Sequence, residues 1–181
     1  CGTDAVDLRR SLEGAATQQY ENGGSYIRPI VLFQAQPKTS EDATSFERLR
    51  DKLVKAGIPA EQIAIKTADV NELKGVDLLS KECPIRFIIT VNALKEGWDC
   101  PFAYILASLA NNTSQVDVEQ ILGRVLRQPP AKKQPNTLLN RSYVLNSSDV
   151  LGIPLQKYVL SIHNSRHTQQ QFRHTRKDYF Y

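Results

Sequence analysis

The chain of 181 residues contains no methionine, three cysteines and one tryptophan. The missing methionine and the opening Cys1 predict a piece cut from a longer protein. Three cysteines (Cys1, Cys83, Cys100) are an odd number without a CxxC pair, which argues against a disulfide framework and a zinc site. Reduced thiols, and with them a cytoplasmic setting, are the expectation. No run of 18 apolar residues occurs, so no membrane-spanning helix is predicted, and no basic-then-apolar signal segment opens the chain. No glycine is followed by lysine and then Ser or Thr, so the loop that cradles nucleotide phosphates is missing. There is no G-x-G-x-x-G, which speaks against a dinucleotide-binding domain. His163, His167 and His174 lack a cysteine or clustered acidic partner, so solvated histidines are expected and no metal site.

What remains is the composition of an ordinary globular domain. The net charge of +4 is uneven: from Gln120 onward there are ten Lys/Arg against two Asp. A basic C-terminal third suits a nucleic-acid partner, with plain solvated surface as the rival reading.

Helical spacing of Ala5, Leu8, Leu12 and Ala16 predicts a helix over Asp4 to Gln19, ended by Asn22-Gly23-Gly24. Ile27 to Gln34 reads as the first strand, Thr44 to Ala56 as an amphipathic helix closed by Gly57, and Ile63 to Ile65 as a second strand. Asn71 to Ser80 reads as a short helix, which makes Glu72-Leu73-Lys74 an unconvincing nuclease motif. Phe87 to Val91 and Ala103 to Ala110 are two more apolar strands. Val118, Ile121, Leu122, Val125 and Leu126 then form one face of a helix, with Asp117, Gln120, Arg124 and Arg127 along its other edge. Gly123 inside that helix costs roughly 1 kcal/mol relative to alanine, which suggests close packing beside it. Arg141 to Asn146 reads as the last strand, and Leu151, Leu155, Tyr158, Val159 and Ile162 predict a closing helix.

Strands alternating with helices imply a parallel sheet, whose ligands gather beyond the carboxyl ends of the strands. Gln34, Thr67 and the Glu96–Asp99 loop are expected there. The organisation predicted is a helical lead-in over 1–26, an α/β domain over 27–148 and a basic helical extension over 149–181.

Two stretches carry a resemblance. Gln120-x-x-Gly123-Arg124-x-x-Arg127 is similar to motif VI of superfamily 2 helicases, and Asn92 to Pro101 (NALKEGWDCP) is similar to their motif V. Together they most resemble the helicase (Res) subunit of type III restriction enzymes and related DEAD/DEAH-like proteins, with excision-repair-type helicases next. The resemblance is specific over Phe87 to Pro129. It implies the second RecA-like domain of a motor, a three-layer parallel sheet flanked by helices. By that resemblance Arg124 and Arg127 would be arginine fingers and Gln120 would contact the γ-phosphate or attacking water. Glu96, Gly97, Asp99 and Gly123 would lie against the nucleotide, and Gln34, Thr67, Thr90 and Asn92 would face nucleic acid. Val91 stands where many members have threonine, and Trp98 replaces a smaller aliphatic residue.

ATP and Mg²⁺ would be the cofactors of the parent protein, with the Mg²⁺ ligands outside this chain, so the piece alone is expected to be inactive. The partners implied are DNA, with RNA still open, the preceding RecA-like domain, and a methyltransferase or specificity subunit. The competing class is a non-catalytic nucleic-acid-binding scaffold that keeps the helicase fold.

Overall fold

A computed structural model describes residues 2–35, 46–92, 98–109, 120–121, 126–127, 133–146, 157–161 and 173–174. The chain opens with α1 (Gly2–Glu21), followed by strand β1 (Ile30–Gln34) and α2 (Phe46–Lys55). Next come β2 (Ile63–Ile65), β3 (Phe87–Thr90), the two-residue β4 (Cys100–Pro101) and β5 (Ala103–Ser108). β6 (Leu126–Arg127), β7 (Arg141–Asn146), β8 (Lys157–Ser161) and β9 (Arg173–His174) complete the strands. The main sheet runs β2-β3-β1-β5-β7-β8-β9, and β4 pairs with β6 in a separate ladder.

The five strands from β2 to β7 are mutually parallel and flanked by helices, which is the α/β architecture a RecA-like lobe requires. Their unbroken apolar runs have a simple cause. A parallel sheet is covered on both faces, so neither face can be polar. IVLF of β1, FII of β3 and AYILA of β5 are buried throughout. Helix α1 packs on β1 and β5, and α2 packs on β3. Among the described residues, no helix is long and apolar enough to cross a membrane.

Both helices end with one device. Gly23 and Gly57 adopt positive φ (83° and 90°). The N–H of Gly24 then reaches back to the Gln19 carbonyl (2.9 Å), and that of Ile58 to the Leu53 carbonyl (3.1 Å). These back-bonds satisfy carbonyls the helices would otherwise leave open.

Three expectations are corrected. The segment from Asn71 to Ser80 is a chain of turns rather than a helix. Asn71 Oδ1 accepts from Leu73 N, Asp77 Oδ1 from Leu79 N, and Gly75 sits at φ 77°. Short polar side chains that bond the nearby backbone outcompete the helical ladder. The strand Arg141–Asn146 is not the last, because β8 adds to it antiparallel. The helix expected from Val150 is accordingly replaced over Lys157–Ser161 by strand, paired with β7 on one side and β9 on the other.

A buried arginine ties the amino end of this sheet together. Arg28 donates to the carbonyls of Ile85 (3.0 Å), Ser80 (2.6 Å) and Leu78, and its guanidinium lies 5.6 Å from the centre of the Phe102 ring. One side chain thus pins the turn-rich 71–86 connection to the start of β1 and the start of β5.

Candidate functional site

The sheet has two furnished ends. At the carboxyl end, Thr90 of β3 and Gln34 of β1 are register partners, and Gln34 also faces Ser108 of β5. Ser108 in turn lies opposite Asn146 of β7. One row across four strands is therefore polar, directly after rows that are apolar. The β1 connection leaves through α2 toward β2, whereas β5 leads in the opposite direction toward β7. Adjacent strands whose connections diverge leave a crevice at their carboxyl ends, here between Gln34 and Ser108.

The four residues expected to face nucleic acid are not equally available. Asn92 is exposed. Gln34 is half-buried, and its Oε1 is sealed without a hydrogen-bond partner. Thr90 is fully buried, and Thr67 is 7% exposed with its hydroxyl accepting from Val70 N–H at 3.0 Å. Thr67 therefore serves first to hold the turn after β2. Glu72 is likewise committed: its carboxylate accepts from Ile65 N–H (2.8 Å) and pairs with Arg50 (2.8 Å). Ser108 was not foreseen, although its signal is plain: β1, β3 and β5 each close an apolar run with one polar residue.

The amino end carries the other stretch. The β4–β6 ladder places Cys100 opposite Leu126 and Pro101 opposite Arg127. Phe102 follows at φ 65°, and its carbonyl accepts from Ile30 N–H at 2.9 Å, which fixes this corner beside the first residue of β1. A bulky residue at positive φ is strained by about 1–3 kcal/mol. Here it is held by burial, by the Arg28 guanidinium and by an edge contact with Tyr26 (6.0 Å).

Two corrections follow. Asp99, exposed and adjacent to Cys100, belongs to the amino end and not to the carboxyl end where its loop was expected. Arg127 lies in a strand, so it does not share a helical edge with Gln120. The cause is local as well as tertiary, because Pro129 disfavours helical geometry at Gln128 and the ladder with Pro101 captures the backbone before it. Gln120 and Ile121 are helical, one exposed and one fully buried, as the amphipathic pattern required. Glu96, Gly97, Gly123 and Arg124 lie outside the described residues. Trp98 packs half-buried against the core.

Charge and burial separate the ends further. Cys100 is fully buried, and burial pushes its thiol well above the ordinary range despite the nearby positive charge of Arg28. Burial also raises the Tyr104 hydroxyl, which donates to the Leu139 carbonyl at 3.0 Å. Burial alone would raise the Glu13 carboxyl too, but Arg9 (2.7 Å) and Arg86 (3.2 Å) outweigh it and hold that group below its usual value.

The described residues contain no group of three His, Cys, Asp or Glu that could hold a metal ion. For a nucleotide, the amino end offers exposed Asp99 beside a strand that carries Arg127. No protein-family profile matches the chain, and no curated protein matches it either.

Proposed function

We propose that this chain is the second RecA-like lobe of an ATP-dependent DNA helicase or translocase, of the kind found in type III restriction enzymes. The observation that carries the reading is the β4–β6 ladder. It joins the end of the NALKEGWDCP stretch to the end of the QILGRVLR stretch, two segments that a motor must move together.

In this reading Arg124 and Arg127 stabilise the charge that develops on the transferred phosphoryl group, and Gln120 positions the attacking water. Asp99 contacts the nucleotide together with Glu96, Gly97 and Gly123. Nucleic acid runs over the opposite end, where Asn92 is exposed and the Thr90–Gln34–Ser108 row closes the sheet. A nucleotide at one end and a nucleic acid at the other gives the lobe two loads. A change in the cleft then reaches the track through the strands and the loop between Thr90 and Cys100. ATP is bound when the lobe stands against a preceding RecA-like domain, which supplies the phosphate loop and the Mg²⁺ ligands.

The test is DNA-stimulated ATP hydrolysis by the longer protein that carries this lobe, wild type beside Arg127→Ala. Loss of an arginine finger lowers turnover by about 10³-fold or more while nucleotide binding is largely kept. Equal turnover in the two proteins would reject the arginine's role and leave a nucleic-acid-binding domain with a helicase fold.

A further inference from the structure

A cavity of about 510 Å³ opens where α1 ends, between Gln18, Gln19, Asn22, Gly23 and Gly24 on one side and Lys133 to Asn136 on the other. It is a built site. Gln19 is 7% exposed, and its Nε2 donates to Gln134 Oε1 at 2.7 Å while its Oε1 accepts from Asn136 N at 3.4 Å. Asn140 clamps the other wall, accepting from Gln134 N (2.6 Å) and donating to the Gln134 carbonyl (2.8 Å). A Cβ on Gly24 would fall 2.7 Å from the Gln19 carbonyl oxygen, so the glycine turn is pressed against this network.

The lining selects a ligand class. Among the described residues five side-chain amides and one lysine line the cavity and no carboxylate does; Gln19, Gln134 and Asn136 are engaged with one another and with Leu138 N–H, which leaves the amides of Gln18 and Asn22 at the rim. The last turn of α1 contains no basic residue, and a helix C-terminus carries partial negative charge, which disfavours a bare phosphate. Bare glycine peptides, Ala15 and Pro135 offer flat, thin apolar surface. The Gln18 and Asn22 amides each present a paired donor and acceptor in one plane, the arrangement that reads the edge of a nucleobase. We propose that this cavity binds a nucleobase, supplied by a free nucleoside or by an unpaired base of a single strand.

None of the residues lining the site is an arginine or belongs to the polar row at the carboxyl end, so the motor reading can fail while this one holds. The full chain would be titrated with adenosine, guanosine, cytidine and uridine, then with short single strands with and without bases, following ligand resonances by NMR. Gln18→Leu and Asn22→Leu serve as variants, because both residues are exposed at the rim and outside the Gln19–Gln134 network. The expected result is saturable binding with Kd below about 1 mM, weakened about tenfold or more by either change. A response to nucleosides identifies the free form as the source. A response only to base-bearing strands identifies the strand. Binding by neither, equal binding of an abasic strand, or indifference to both substitutions in variants with unchanged melting would overturn the proposal.

Discussion

The two ends of this sheet are furnished differently. At the amino end Arg28 serves three carbonyls, Gln19 and Gln134 bond each other, and Tyr104 donates to the Leu139 carbonyl, while Arg9 Nε and Nη1 and Trp98 Nε1 are buried without a partner. At the carboxyl end Gln34 holds a buried acceptor with no partner, one row beyond a wholly apolar core. A committed polar group fixes geometry, whereas an uncommitted one costs stability and persists where something else uses it. The difference sets a braced end against a polar row within one sheet.

The sharpest way to break that contrast is at Arg28. Arg28→Met removes the donor from three carbonyls, and a buried polar group left unpaired costs about 1–3 kcal/mol each, so a loss of roughly 3–5 kcal/mol is expected in urea unfolding. Arg28→Lys should recover little, since one ammonium cannot reproduce the planar fork. A loss under about 1 kcal/mol would mean that the amino end is held by apolar packing alone.

Gly24→Ala comes next. Its Cβ would meet Gln19 Cγ at 2.6 Å and the Gln19 carbonyl oxygen at 2.7 Å, and the second contact cannot relax by rotating a side chain. Overpacking of this kind costs about 1–3 kcal/mol, and a melting curve matching wild type would show that the α1 turn yields.

The same end should fail in alkali. Cys100 and Tyr104 are both raised in the folded state from ordinary values of 9.0 and 10.0. Their contribution is therefore intact below about pH 9 and is lost as pH rises, because the unfolded chain ionises first. Urea midpoints should fall above about pH 9, and less so in Cys100→Ala, whereas a flat profile would contradict the burial. At the acid side Glu13, held low by its two arginines, keeps its contribution above its ordinary 4.5 and loses it as pH falls through the depressed value.

The smallest effect has the opposite sign. Gln34→Met removes an unpartnered acceptor at similar volume, so stability should stay level or rise by up to about 1 kcal/mol. Nucleic-acid binding by the longer protein should weaken in the same variant. A destabilised Gln34→Met would place Gln34 with the scaffold and erase the contrast.

Much of this was legible along the chain. The strand Ile63–Ile65 has the bounds its β-branched run predicts, and Gly23 and Gly57 end their helices as expected. The helix expected over Asn71 to Ser80 was lost to Asx-type turns, a competition that apolar spacing does not register. The Leu151–Ile162 pattern predicted a helix, and over Lys157–Ser161 pairing with β7 made a strand instead. Of the residues anticipated at the carboxyl end, Gln34 and Thr67 lie there and Asp99 does not, and their exposure depends on neighbours far away in sequence.

By itself, then, the sequence determined the apolar strands, the polar residue closing each of three of them and the glycine stops, since these follow from dihedral preference and burial within a few residues. Tertiary structure decided which end of the sheet each motif serves. Trp98 to Pro101 stand at the amino end just before β5, and Leu126–Arg127 becomes strand because Cys100–Pro101 is there to pair with it. Ladder hydrogen bonds form between segments distant in the chain, and local spacing carries no record of them.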